Sequence, residues 1–317
     1  MSKRIYTYYN EAVQLRNGKI CNPRMAIIYP VYGCNLTCEG CLCNRYNDDI
    51  TYMPAELFEK LCNDLNSMNV KSIEFCGGGE PLLHPNIDEI ISIVPKNMSL
   101  GMMSNGSLLN ENLMQLIVER FKYVRLSIYE ENCSIAIENL QKMLTYKKSC
   151  FSDIKIGAKF LASKKNQDFI IDALNNFSNL PPDLISIKCE RNSLNELSSK
   201  EMDDLYEQLK EFKYPNMSFE LKKTHLNEKC WLSPIHTLID AKGDVYLCCY
   251  YMDREDQHRI GNVNYNSFEK IWQSEDHKNK LKNIDKDKCN VYDCRWHRYN
   301  VELSNLFLTN EIQHEFC

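Results

Sequence analysis

Between residues 25 and 190 short β-like runs alternate with stretches of helical period, and this alternation limits the fold more than any other feature. Apolar strand candidates lie at 25–30 (MAIIYP), 71–76 (KSIEFC), 98–103 (MSLGMM), 122–129 (KYVRLSIY), 153–161 (DIKIGAKFL) and 184–189 (LISIKC). Helical patterns near 54–68, 86–94, 110–120, 133–148 and 166–177 separate them. In 54–68 (PAELFEKLCNDLNSM), Leu57, Phe58, Leu61, Cys62 and Leu65 fall on one face. Parallel strands need crossover connections, so the alternation predicts an α/β fold with a barrel-like or open parallel sheet.

After a helix near 198–212 the pattern changes. Residues 236–250 (HTLIDAKGDVYLCCY) read as a β-hairpin turning at Lys242-Gly243-Asp244. Short helices around 266–284 and a tail helix near 297–314 follow. We therefore expect an N-terminal extension at 1–24, a main α/β domain at 25–214 and a smaller α+β unit at 215–317, with the boundary around 215–229.

The strands alternate further. Val124, Leu126 and Ile128 take the helix side of 122–129, so Arg125, Ser127 and Tyr129 are expected inside. The same logic turns Lys155 and Lys159, then Ser186, Lys188 and Glu190, and also Glu74, toward the lumen. An interior with charges of both signs suits a polar ligand better than a closed core. Pairing of these charges with one another is the alternative.

Sixteen cysteines stand in 317 residues, and the N-terminus MSKRIYTYYNEAV lacks the apolar core of a signal peptide. No window approaches a spanning helix, so we expect a cytoplasmic protein away from membranes. Thiols are kept reduced there, which favours metal or cluster ligation over disulfides. The formal net charge of −5 supplies no basic field for nucleic acid, and pairs such as Lys147-Lys148, Lys164-Lys165 and Lys222-Lys223 read as solvated surface.

Residues 32–45 read YGCNLTCEGCLCNR, in which Cys34, Cys38 and Cys41 have the spacing C-x3-C-x2-C. Zinc sites usually join C-x2-C to a distant second pair, and a redox C-x-x-C would not use the first thiol. Three thiolates suit a [4Fe–4S] cluster with one open iron. At the following strand candidate, IEFCGGGEP at 73–81 breaks into three glycines, a glutamate and a proline, where backbone can approach a ligand closely. The next candidate ends in Ser104-Asn105-Gly106. All three motifs follow a strand, on the side where α/β proteins build sites.

CNLTCEGC resembles the cluster motif of the radical S-adenosylmethionine (radical SAM) enzymes, and GGGEP resembles their glycine–glutamate motif, over roughly residues 25–190. The resemblance implies a partial (β/α)6 TIM-like barrel in which Cys34, Cys38 and Cys41 hold the cluster. SAM would chelate the open iron, with Gly78, Gly79, Glu80 and Pro81 meeting its amino group. Ser104, Asn105 and Ser127 match positions that contact its carboxylate or ribose, and Lys159 is a further carboxylate candidate. The implied chemistry is reductive cleavage of SAM to a 5′-deoxyadenosyl radical that removes a hydrogen atom from an unactivated C–H bond. The sequence departs from the family at Gly40, where an aromatic residue usually precedes the third cysteine, and Cys43 falls outside the triad.

A second cysteine set follows the barrel pattern. Cys230, the run Gly243-Asp244-Val245-Tyr246-Leu247-Cys248 and the stretch 260–273 (IGNVNYNSFEKIWQ) resemble the SPASM and twitch extensions of radical SAM enzymes. A full SPASM domain carries more cysteines than remain here, so the resemblance implies one auxiliary [4Fe–4S] cluster on Cys230, Cys248, Cys289 and Cys294. A zinc site on the same four residues is the alternative. Cys249 is left over; it is either a buried small hydrophobe or a hydrogen-atom donor of the kind used by epimerases. The expected substrate is a ribosomally made peptide, epimerised or cross-linked. A sugar, aminoglycoside or nucleoside is the runner-up, and a non-catalytic cysteine-rich metal-binding protein is a remote third. About 24 residues precede the first strand candidate, too few for a separate leader-binding domain. An electron donor such as flavodoxin or ferredoxin would be the partner.

Overall fold

The computed structural model describes residues 5–39, 41–190, 195–214, 216–220, 230–285, 289 and 294–308. Gly40 and most of the expected boundary at 215–229 lie outside the described residues. The strands are β1 (Met25–Ile28), β2 (Val31–Tyr32), β3 (Thr51–Tyr52), β4 (Ser72–Phe75), β5 (Ser99–Ser104), β6 (Phe121–Ser127), β7 (Lys155–Ala162), β8 (Leu184–Cys189), β9 (Met217–Glu220), β10 (His236–Ile239), β11 (Asp244–Tyr246) and β12 (Arg259–Asn262). The helices are α1 (Ile5–Arg16), α2 (Ala55–Ser67), α3 (Ile87–Ile93), α4 (Glu111–Arg120), α5 (Cys133–Ser149), α6 (Gln167–Asn175), α7 (Ser199–Leu209), α8 (Glu255–His258), α9 (Phe268–Trp272), α10 (Glu275–Lys282) and α11 (His297–Leu308).

Among the described residues ten strands make one open sheet in the order β12-β11-β10-β1-β4-β5-β6-β7-β8-β9. From β10 to β9 neighbouring strands are parallel, and α2 to α7 lie between successive strands in sequence. The six strand candidates coincide with β1 and β4 to β8, and the expected α/β class holds. β9 carries the parallel series past residue 214. The hairpin β10–β11 and the added β12 extend the same sheet from the edge of β1. The strands of the C-terminal unit are thus hydrogen-bonded into the same sheet as β1.

The helices form where caps and apolar stripes agree. Asn110 caps α4 through a 2.9 Å bond from the Leu113 N–H, and Ser198 with Glu201 makes a capping box on α7. Each such cap contributes about 1 kcal/mol. Phe58, Leu61, Cys62 and Leu65 of α2, with Met114, Ile117 and Val118 of α4, pack against Ile73, Phe75, Val124, Leu126, Ile156 and Phe160 on the outer face of the sheet. The inner face alternates with that set: Arg125, Ser127, Lys159 and Lys188 are only partly buried, whereas Glu74 and Ser186 are buried.

The first helix has no counterpart among the sequence expectations. Ala12 and Leu15 of α1 pack with Trp231, Leu232, Ile235 and Leu303, and Arg16 lies over the Phe307 ring. The N-terminal helix therefore packs with α11 near Trp231 and the start of β10. Trp272 Nε1 donates to the Cys21 carbonyl at 2.8 Å and ties α9 to the same end.

Candidate functional site

The loop after β2 carries Cys34, Cys38 and Cys41, and its course is set by side-chain amides. Asn47 Oδ1 accepts from the Cys34 N–H at 2.9 Å and its Nδ2 donates to the Leu36 carbonyl at 3.2 Å. Asn44 Nδ2 donates to the Cys38 carbonyl at 2.8 Å. Glu39, on the outer side, pairs with Lys165 at 3.2 Å and accepts from Asn195 Nδ2 at 2.8 Å.

The glycines after β4 have a second use besides approach to a ligand. Gly77 and Gly78 have φ of 65° and 69°, where side chains other than glycine are strained. A Cβ on Gly79 would stand 1.7 Å from the Gly33 carbonyl oxygen. That space is taken by backbone: the Gly33 N–H donates to the Gly78 carbonyl at 3.3 Å and the Glu80 N–H to the Gly33 carbonyl at 3.0 Å. The glycine loop thus docks directly on the residue before Cys34.

Glu80 is 2% exposed and joins the next strand to this corner. Its Oε1 accepts from the Leu82 N–H at 3.0 Å and the Ser104 hydroxyl at 2.7 Å, and its Oε2 from the Asn105 N–H at 2.7 Å. Burial holds its carboxyl above the usual carboxylate range, against three hydrogen bonds that favour the charge. Asn105 Nδ2 reaches Asn35 Oδ1 at 2.9 Å and Cys34 Sγ at 3.8 Å. Asn132, which the sequence reading passed over, donates from Nδ2 to the Asn105 carbonyl at 2.6 Å and the Ser127 carbonyl at 3.0 Å. Asn139 Nδ2, buried on α5, donates to the Gly106 carbonyl at 2.8 Å. The available signal was polar residues at otherwise apolar helix positions. Gly78, Gly79, Glu80, Ser104 and Asn105 therefore gather beside the cysteine loop, with Pro81 following Glu80 and Ser127 at the end of β6.

The three thiols lie close enough to act on one another's charge. Cys34 is pushed up by burial, with Glu80 and Cys41 contributing, and Cys38 is pushed up to about 12 by burial, with Glu131, Cys41 and Cys34 contributing. Cys41, hydrogen-bonded to Cys43, is held down at about 6, with Lys159 adding a small favourable charge. Mutual repulsion among neighbouring thiolates is what a bound metal would reverse. Half-buried Tyr129 is within electrostatic reach of all three. Cys43 stands between Cys41 and Gly78.

The second set converges as well. Cys230, Cys248, Cys249, Cys289 and Cys294 line one cavity together with His236, His258 and Trp296. Burial and neighbouring thiols push Cys230 to about 11 and Cys294 to about 12. N–H donors face the sulfurs: Ser233 N to Cys230 at 3.4 Å, Tyr250 N to Cys248 at 3.4 Å, and Asn300 Nδ2 to Cys230 at 3.6 Å. Two buried ring nitrogens, His236 Nε2 and His258 Nδ1, have no hydrogen-bond partner among the described residues, although both rings line this cavity. Orphaned polar atoms beside four thiols suit a site built around a group it holds. Among the described residues no three His, Cys, Asp or Glu side chains converge as one metal ion requires. A single zinc needs its sulfurs at ~2.3 Å, whereas a cubane spreads its ligands more widely. Cys249 lies beside Cys248, within side-chain hydrogen-bond reach of it, and belongs to the apolar cluster of Tyr29, Tyr246, Tyr251 and Cys76, whereas Cys248 packs against the main core.

Two separate groups of cysteines on a largely parallel α/β sheet are the setting expected of an iron–sulfur protein. Residues 28–149 match the radical SAM superfamily model, and residues 230–295 match the SPASM iron–sulfur cluster-binding domain. The chain is a radical SAM enzyme with a C-terminal SPASM domain. Those domains imply SAM with a [4Fe–4S] cluster and auxiliary iron–sulfur clustering.

Among curated proteins the chain is similar to the tungsten-containing aldehyde ferredoxin oxidoreductase cofactor-modifying protein of Pyrococcus furiosus. They are 34% identical over 88 residues, which is 27% of this chain and 25% of that protein. The match thus spans about a quarter of that relative's length. Among solved structures, SuiB of Streptococcus suis bound to the precursor peptide SuiA has a TM-score of 0.66 at 15% identity, over 90% of this chain and 73% of that one. The protein anSMEcpe with bound AdoMet and Cp18Cys peptide has a TM-score of 0.63 at 19% identity, over 88% of each chain. At these identities the likeness is one of fold. No helix among the described residues is long and apolar enough to cross a membrane.

Proposed function

We propose that this chain modifies a ribosomally made peptide by abstracting hydrogen from an unactivated C–H bond, leading to an epimer or a cross-link. The cluster and SAM, when bound, supply a 5′-deoxyadenosyl radical through one-electron reduction, with flavodoxin or ferredoxin as the electron source. Cys34, Cys38 and Cys41 would hold the SAM cluster, and Cys230, Cys248, Cys289 and Cys294 the auxiliary one. Asn47 and Asn105 orient Cys34, and Glu80 locks the Gly78-Gly79 backbone against it. Tyr29, whose ring lies against Gly77 and Gly78, covers the inner side of that corner. Lys159 and Ser127 leave a polar wall facing it.

The observation that carries the reading is the joining of the two thiol clusters through one continuous sheet around a partly polar interior. The peptide preference is supported by two similar folds solved with peptides bound. A small polar substrate is a second reading, favoured by the partly buried Arg125, Lys159 and Lys188 and by similarity to a cofactor-modifying protein. Anaerobically purified protein should carry about eight irons per chain and release 5′-deoxyadenosine from SAM and reductant. One zinc and no sulfide would refute the cluster assignment. Mass spectrometry with peptides encoded beside the gene separates the two substrate readings: a modified peptide supports the first, and turnover only with sugar-like substrates supports the second.

A further inference from the structure

Glu74 faces the barrel interior, yet its carboxylate does not stand open to a ligand. Arg295 closes it with two parallel bonds, Nη1 to Oε1 and Nη2 to Oε2, the latter at 2.6 Å. The Glu74 and Arg295 side chains are 2% and 23% exposed. Cys76 Sγ adds a third contact to Oε1 at 3.4 Å. The two ends of this pair belong to different parts of the chain, 221 positions apart. Glu74 lies on β4, the strand that runs into Gly77-Gly78-Gly79-Glu80, and Arg295 directly follows Cys294. The Arg295 guanidinium also lies 5.0 Å from the Trp296 ring, and Trp296 both lines the cysteine cavity and stacks on His236 at 4.0 Å.

Gly101 lies beside Glu74 in the parallel register, and the space its Cβ would need is taken by the Tyr123 ring. The other groups facing the guanidinium are Cys76, Cys249 and Tyr250. A fixed cation one residue from a ligand, screened by little water, contributes to the potential at that ligand, and its counter-ion sets how much of the charge is felt.

We propose that Glu74 and Arg295 are a positioning pair for the auxiliary cluster: they dock the Cys294 segment on β4 and balance the charge that the cluster experiences. The inference rests on the assignment of Cys230, Cys248, Cys289 and Cys294 as cluster ligands. A buried pair of this kind is sensitive to loss of one partner, because the other is left uncompensated. Iron–sulfur potentials respond to such nearby charge.

The test is a redox titration followed by electron paramagnetic resonance in a Cys34→Ala/Cys38→Ala/Cys41→Ala background, where only the auxiliary cluster reports. Arg295→Met removes a cation and should move the midpoint to a more negative potential. Glu74→Gln leaves the cation unbalanced and should move it to a more positive one. Arg295→Lys keeps the charge and should stay nearest the parent. The double variant Glu74→Gln/Arg295→Met restores neutrality and should fall between the two single variants. Midpoints unchanged at full cluster content, or single variants shifting in the same direction, would overturn the proposal. If a single variant purifies without cluster, the Arg295→Lys and double variants decide on the same criteria. Absence of any cluster in the triple-alanine parent would instead refute the ligand assignment.

Discussion

Adding one methyl group at Gly79 tests how closely the glycine loop and the cysteine loop depend on each other. In Gly79→Ala the new Cβ would lie 1.7 Å from the Gly33 oxygen and 2.8 Å from its nitrogen, both backbone atoms. Carbon contacts settle near ~3.5–4.0 Å, so one backbone must retreat by more than a bond length. Retreat breaks the 3.3 Å bond from Gly33 to Gly78 and the 3.0 Å bond from Glu80 to Gly33. Each is worth about 0.5–1.5 kcal/mol, a loss the domain survives. Cys34 follows Gly33 directly, however, and a displacement of about 1 Å in a reacting group costs roughly 100-fold in rate. The variant should therefore fold, keep its auxiliary cluster, lose iron from the first site and form 5′-deoxyadenosine about 100-fold more slowly. Iron and sulfide analysis with a chromatographic assay for 5′-deoxyadenosine measures both effects. Full iron content with unchanged rate would refute the claim that these backbones pack directly.

Cys38→Ala should abolish 5′-deoxyadenosine formation while retaining about half of the iron, read by elemental analysis. Cys249→Ala should still form 5′-deoxyadenosine; if Cys249 donates the hydrogen atom, the variant releases no epimer, and an unchanged product excludes it from that role. Asp240, 1% exposed, is pushed up to about 6 by burial, although it accepts from the Tyr32 hydroxyl at 2.8 Å and from the Lys242 and Asp244 N–H groups. The folded state then holds a proton that the unfolded chain releases near pH 4, so stability declines as pH rises from about 4 to 6 and is level above. Asp240→Asn should remove about 2–3 kcal/mol of that slope in denaturant titrations across this range. An identical slope in both proteins would show that Asp240 is not the group responsible.

The parts of the fold that were legible in the sequence are those in which periodicity and burial coincide. β1 and β4 to β8 with their intervening helices were readable because each carries its own apolar stripe and the outer face of the sheet needs no distant information. The hairpin around Gly243, with φ of 81°, was readable from turn chemistry alone. Helix α1 was not anticipated, since its packing partners are Trp231 and Leu303 rather than local neighbours. β9 and β12 were not anticipated, because MSFE and RIGN sit in polar sequence without an apolar run like the MAII of β1.

The site divides along the same line. Spacing together with the family resemblance brought out Cys34, Cys38 and Cys41 and the glycine–glutamate turn, because ligand spacing and φ > 0 are local requirements. Their use of one another was not local. That Gly79 packs on Gly33, that Glu80 spends both oxygens on Leu82, Ser104 and Asn105, and that Asn132 bridges two strand ends all depend on register between neighbouring strands. Glu74 is the sharpest case. Alternation assigns it to the interior, and that assignment is correct. Whether it meets a ligand or Arg295 is decided only when the last described segment folds back across the sheet, because a buried charge takes its meaning from its partner rather than its position in the chain.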